Sequence, residues 1–147
     1  MRFREAVRAD LAAIVALLVD DELGRGRERG EVDAAYERAF ADIEADPRNF
    51  VIVAEEQGVV VGCLQVTYIP GLGRHGMERA LVESVRVARE RRGGGVGAEL
   101  MRWTIERARA RGCGLVQLTT DKSRVEAQRF YLRLGFVASH EGMKLAL

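Results

Sequence analysis

The sequence predicts an α/β (α+β) fold, and three observations carry that reading. Some segments alternate apolar and polar residues with a period of two, as strands do. Others repeat at about 3.6, as amphipathic helices do, and the two kinds interleave along one chain. No repeat, low-complexity segment or linker interrupts the 147 residues, which is the size of one domain, so a single domain spanning 1–147 is expected.

Met1 to Ala6 reads as a short strand. Asp10 then precedes a helical stripe of Leu11, Ile14, Val15 and Leu18. Gly24, Gly26 and Gly30 break the pattern before a second helix from about Asp33, with Tyr36, Phe40 and Ile43 on one face and a stop at Asp46-Pro47. Phe50–Ala54 and Val59–Tyr68 flank Glu55-Glu56-Gln57-Gly58 as a hairpin. After a loop over Pro70–Gly76, Leu81–Val87 alternates as a strand, with Glu83, Val85 and Val87 expected on one face and Val82, Ser84 and Arg86 on the other.

A glycine cluster, Gly93-Gly94-Gly95-Val96-Gly97, then opens a helix striped with Leu100, Met101, Thr104, Ile105 and Ala108 and closed by Gly112. Leu115–Thr119 reads as another strand. Ser123 and Glu126 have capping-box spacing before a helix carrying Ala127, Phe130, Tyr131 and Leu134 up to Gly135. Phe136–Ser139 and Met143–Leu147 read as two final short strands.

Composition excludes several classes of protein. With 48% hydrophobic and 31% charged residues the chain is neither disordered nor collagen-like. No apolar run approaches the roughly 18 residues of a membrane span, so no membrane partner is expected. The N-terminal residues lack the apolar core of a signal peptide, and Cys63 and Cys113 have neither CxxC nor metal-ligand spacing. A cytoplasmic location and no metal are the expectation. The formal net charge of +1 conceals an asymmetry: residues 20–46 hold ten acids against four arginines, and residues 86–133 hold twelve bases against five acids. The basic region lacks interleaved aromatics, which argues against nucleic acid.

The strongest local signal is a strand followed by a basic connection and a glycine-opened helix. Free backbone N–H groups and the positive end of a helix dipole favour an anion there, and glycines admit it closely. Arg89, Arg91 and Arg92 add positive charge that a simple turn would not use. Gly93-x-Gly95-x-x-Ala98 also loosely fits a dinucleotide fingerprint, with Asp121 near the end of the next strand, although five residues separate Val87 from the first glycine. No Gly-Lys-Ser/Thr follows, so this is not a P-loop.

Three pieces, in order, resemble the GNAT superfamily of acyl-CoA-dependent N-acyltransferases. They are the strand Glu83-Ser84-Val85-Arg86-Val87, the turn Arg92-Gly93-Gly94-Gly95-Val96-Gly97, and Ala127-Gln128-Arg129-Phe130-Tyr131-Leu132-Arg133-Leu134-Gly135-Phe136. The specific motifs cover roughly residues 83–136. The resemblance implies a mixed, mostly antiparallel sheet splayed around acyl-CoA, with flanking helices. It further implies that the backbone of Val85 and Val87 pairs with the pantetheine arm and that the amides of Arg92, Gly93, Gly94, Gly95, Val96 and Gly97 hold the pyrophosphate. Tyr131 would protonate the departing thiolate, and Glu83 is the candidate base for the amine. Arg124 stands where the family often has asparagine; it is a candidate for a CoA phosphate, or an ordinary first-turn residue.

The expected reaction moves an acyl group, acetyl first among candidates, from acetyl-CoA as co-substrate to a primary amine by direct attack in a ternary complex. The acceptor is a small molecule or a peptide amine. Asp20, Asp21 and Glu22 are the acids placed to meet a cationic acceptor, and a homodimer is the one assembly the reading admits. A CoA-binding sensor or interaction module without transfer activity is the alternative.

Overall fold

The computed structural model describes the backbone of all 147 residues; the side chain of Glu22 lies outside the described residues. Two compact units are present, Met1–Gln117 and Leu118–Leu147.

The first unit is built on a five-stranded sheet in the order β1-β2-β3-β4-β5, with β1 Arg2–Glu5, β2 Asn49–Glu56, β3 Val59–Ile69, β4 Arg79–Val87 and β5 Leu115–Gln117. Neighbours are antiparallel except β4 and β5, which are parallel. The β2–β3 turn is tighter than the sequence suggests: both strands extend, leaving Gln57 (φ 51°) and Gly58 (φ 80°) as a two-residue hairpin loop. Two left-handed residues match the strands' twist, which is why this loop is favoured.

Helices cover both faces. Alternation sends Val53 and Cys63 to the side of α1 (Leu11–Val19), where they pack with Ile14, Leu17 and Ala88. Leu11 and Val15 bury against Phe40 of α3 (Ala34–Ala45). Ala54 points the other way and meets Val96, the first residue of α5 (Val96–Arg111), whose Leu100, Met101, Thr104 and Ala108 are buried. The entry to α1 is fixed by Asp10, which accepts hydrogen bonds from Val7 N (2.8 Å) and Arg4 Nη1 and Nη2 (2.7 and 2.9 Å), while Arg4 Nε donates to Glu55 at 2.8 Å. These bonds hold the Asp10 carboxyl below its ordinary range, the Arg4 bond foremost.

Local chemistry overrides several sequence expectations. Gly24 and Gly26 do not break a helix but lie inside a short one, α2 (Glu22–Arg27), because the Asp21 carboxylate caps it by accepting from Gly24 N at 3.1 Å. The Pro70–Gly76 loop contains a one-turn α4 (Gly73–Gly76) in which Arg74 and His75 are left-handed, with φ of 52° and 61°.

In the second unit, α6 (Val125–Arg133) has Arg124 as its N-cap and starts one residue later than a Ser123 cap would put it. Ser123 instead donates its hydroxyl and its N–H to Asp121 Oδ1, at 2.6 and 2.9 Å, so the predicted capping box does not form. The expected strands Phe136–Ser139 and Met143–Leu147 are absent among the described residues, and Val137, Met143, Leu145 and Leu147 are exposed. Alternating apolar residues report strand propensity, whereas a strand also needs an edge to pair with. The segment's own bonds are local, as in Ser139 N to Val137 O at 3.0 Å.

Candidate functional site

The site begins as a flaw in the sheet. Cys63 pairs with Arg86 and Gln65 with Glu83, so Leu64 alone faces two residues of β4, Ser84 and Val85. This β-bulge is closed by Ser84 in the left-handed region, φ 54°. It also corrects the expected alternation. Paired residues share a face, so Glu83 and Arg86 lie with Cys63 and Gln65 on the α1 side, while Val87, paired with Gly62, falls on the α5 side beside Phe3 and Ala54. The one extra residue reverses the parity between them.

On its other edge β4 is even less complete. The parallel strand β5 pairs only with Arg79, Ala80 and Leu81. Among the described residues no strand pairs with that edge from Val82 to Val87. The expected strand Leu115–Thr119 is shorter by two residues, ending at Gln117. Two arginines occupy carbonyls along β4: Arg86 Nη1 donates to Val85 O at 2.9 Å, and Arg92 Nε to Val87 O at 3.0 Å.

From Val87 the chain passes one turn, Arg89–Arg91, and reaches the glycines. Gly93 (φ 79°) and Gly95 (φ 89°) are left-handed, and Gly95 is the N-cap of α5. A Cβ at Gly93 would meet nothing within 4 Å and one at Gly95 only Glu99 Oε1 at 4.0 Å, so both glycines front open space. Of the six amides predicted to hold an anion, two already serve the turn: Arg92 N donates to Arg89 O and Gly94 N to Arg91 O. The amides of Val96 and Gly97 belong to the first turn of α5, where a helix offers them no carbonyl. The side chain of Val96 is buried, so only its backbone is available. A 310 Å³ depression lies beside this turn, rimmed by Glu56, Glu90 and Glu99 as well as Arg91 and Arg92.

The arginines do not stand idle for an anion, as the sequence alone suggests. Arg89 Nη2 pairs with Asp20 Oδ1 at 3.2 Å, Arg92 Nη2 donates to Asp20 O at 2.7 Å, and Arg91 pairs with Glu56. Asp21 pairs with Arg86 at 3.4 Å besides capping α2. Asp20 and Asp21 thus tie α1 and α2 to β4 and its glycine turn. Ser84 is the position that nothing in the sequence signals; Asp20, expected to meet a cationic acceptor, is paired with Arg89 and Arg92 instead.

In the second unit, Tyr131 stacks edge-on against Phe130 (5.0 Å between centroids) and Phe136 (5.8 Å), and is half-buried on the stripe where periodicity places it. Arg124 is the N-cap of α6; its N–H bonds Asp121 O at 2.9 Å and its carbonyl accepts from Gln128 N. Cys63 is buried, which pushes its thiol up to about 12 and keeps it a neutral core group.

Residues 11–136 match the Acetyltransferase (GNAT) family. The chain belongs to this family. This GNAT N-acetyltransferase is 30% identical over 138 residues to the aminoalkylphosphonate N-acetyltransferase of Salmonella typhimurium, covering 93% of this chain and 85% of that one. It is also 30% identical over 140 residues to the L-methionine sulfoximine/L-methionine sulfone acetyltransferase of Pseudomonas aeruginosa, covering 92% and 80%. Among solved structures, a Bacillus halodurans protein described as a transcriptional regulator superposes with a TM-score of 0.97 at 50% identity, covering 99% of both chains. The mixed, mostly antiparallel sheet of the GNAT acetyltransferase is therefore the family's fold, and the relatives named for acetyl transfer act on small-molecule amines.

Proposed function

We propose that this N-acetyltransferase uses acetyl-CoA as donor and acetylates a primary amine, on a small molecule or a peptide, by direct attack. The observation that carries the reading is the edge of β4 from Val82 to Val87, which lacks a strand partner among the described residues and runs into the left-handed glycines capping α5. The amide-rich pantetheine arm can pair with such an edge through Val85 and Val87 as an added strand does. The pyrophosphate it carries fits the next feature along the chain, the N–H groups of Gly93, Gly95, Val96 and Gly97.

A backbone N–H beside the thioester carbonyl stabilises the oxyanion that develops as the amine attacks. Glu83, exposed on the α1 face, receives the ammonium proton directly or through water. Tyr131 returns one to the thiolate, and Arg124 adds a charge for a phosphate. The neutral thiol of Cys63 supports transfer without an acyl-enzyme. Its free state and that of Cys113 suit a reducing compartment, the cytoplasm.

Release of the CoA thiol, followed with a thiol reagent across a panel of primary amines, tests the reading. Amine-dependent release above the hydrolysis background supports it. Stabilisation by acetyl-CoA with no release for any amine would favour the second reading, a CoA-binding regulatory module, for which the description of the Bacillus halodurans relative speaks.

A further inference from the structure

A cavity of 160 Å³ lies between α1, α3 and the sheet of the first unit, lined among others by Leu11, Ile14, Phe40, Val51, Cys63 and Ser84. No lining side chain is charged. Of its two largest polar side chains, the Tyr36 hydroxyl donates to Glu28 and accepts from Arg29 N, and Gln65 Nε2 donates to Asn49. The pocket is open on one side, and a concave, mostly apolar lining with few polar groups is the usual form of a small-molecule site. A cavity of about 150 Å³ walled by Leu, Ile and Phe stays dry and accepts benzene. Ser84, the bulge residue between Glu83 and Val85, is part of the lining, so the pocket reaches the strand where the amine would meet the thioester. Asp20 and Asp21, the acids that the sequence offers to a cationic acceptor, are held by Arg89, Arg92 and Arg86 instead.

We propose that this cavity takes the hydrocarbon body of the acceptor, a single aromatic ring or a branched aliphatic group one or two methylenes from the nitrogen, and that it selects such amines over ones bearing a phosphonate or carboxylate. The inference rests on the transferase reading above and adds the substrate class. The neutral amine nitrogen bonds to the thioester carbonyl carbon and the carbon–sulfur bond breaks with its electron pair on sulfur. The nitrogen loses one proton and sulfur gains one, leaving an amide and the CoA thiol. A phosphonate or carboxylate entering the same space would lose its water with no cation to replace it.

The test compares kcat/KM with acetyl-CoA for phenethylamine, ethylamine and aminoethylphosphonate. Phenethylamine should exceed ethylamine at least tenfold, the order of discrimination an apolar pocket gives, and aminoethylphosphonate should rank last. Ethylbenzene, the same body without nitrogen, should inhibit competitively against phenethylamine. Ala39→Leu, on the cavity wall at α3, should collapse the preference while the stabilisation by acetyl-CoA persists. If that variant does not fold, ethylbenzene inhibition of the parent decides. Transfer with equal kcat/KM for phenethylamine and ethylamine, or with the phosphonate preferred, overturns this inference alone. Absence of transfer to every amine overturns the transferase reading and this inference with it.

Discussion

Gly95 and Gly112 cap the two ends of α5 in the same left-handed conformation, with φ of 89° and 92°. A Cβ would meet nothing within 4 Å at Gly112 and only Glu99 Oε1 at 4.0 Å at Gly95, so alanine at either position suffers backbone strain without a clash. That strain is about 1–2 kcal/mol for an L residue, reduced by about 0.4–1 kcal/mol because alanine restricts the unfolded chain. Each variant should therefore lose about 1 kcal/mol, or about 2–4 °C in Tm. The two then part company. Acetyl-CoA at about 100 times its Kd stabilises the parent by about 2.7 kcal/mol. A methyl group at Gly95 stands where the anion must approach the amides, and losing one charge-assisted hydrogen bond there, about 1.5 kcal/mol or more, weakens binding at least about tenfold. Thermal melts with and without acetyl-CoA should show Gly112→Ala keeping the full ligand-induced shift and Gly95→Ala keeping about half. Equal ligand shifts in the two variants would refute the anion site at this turn. An undiminished melting temperature for Gly95→Ala alone would refute the left-handed cap.

Asp10→Asn should cost about 2 kcal/mol at neutral pH, since it removes charge-assisted hydrogen bonds to Arg4. Because the native state depresses the Asp10 pKa, the benefit is full above about pH 4 and fades as pH falls through the native value, so denaturant melts of parent and variant should converge in acid. Glu83→Gln should lower turnover mainly at low pH and recover at high pH, where the amine is already neutral; a uniform loss in the pH–rate profile would make Glu83 a positioning group instead. Tyr131→Phe should retain the aromatic packing with Phe130 and Phe136 and reduce kcat by about 10²–10⁴-fold; parent-like kcat would return Tyr131 to the core. Ser84→Gly should gain about 0.5 kcal/mol, the balance between relieved left-handed strain and glycine's added chain entropy, whereas Ser84→Val should be destabilised in denaturant melts, its β-branched side chain being an outlier at φ 54°.

Most of the frame was legible in sequence because it rests on periodicity and local caps. The stripe Leu11, Ile14, Val15, the Asp33 cap of α3 and the Gly112 stop of α5 all stand where pattern puts them. The glycine turn was legible too, since consecutive glycines have few uses besides close approach and positive φ. The bulge was not. It is carried by a serine, which gives no signal for a left-handed residue, and it exists only relative to the register of β3. The ties of Asp20 to Arg89 and Arg92 span about seventy positions, so charge counts found the two partners and could not join them. The C-terminal segment failed in the opposite sense: its alternation is plain, but strand formation depends on an edge elsewhere in space.

β4 carries one residue more than its neighbour can match. Removing either Ser84 or Val85 would let the ladder with β3 close without interruption, and Glu83 and Val87, opposite Gln65 and Gly62, would still fall on opposite faces. The healed sheet would have better hydrogen bonding and no strained serine. It would also lose the bend and added twist that a bulge puts into its strand, here between Glu83 and the glycine turn. Selection for stability alone would shorten this strand, so the surplus residue marks where function has overruled the sheet.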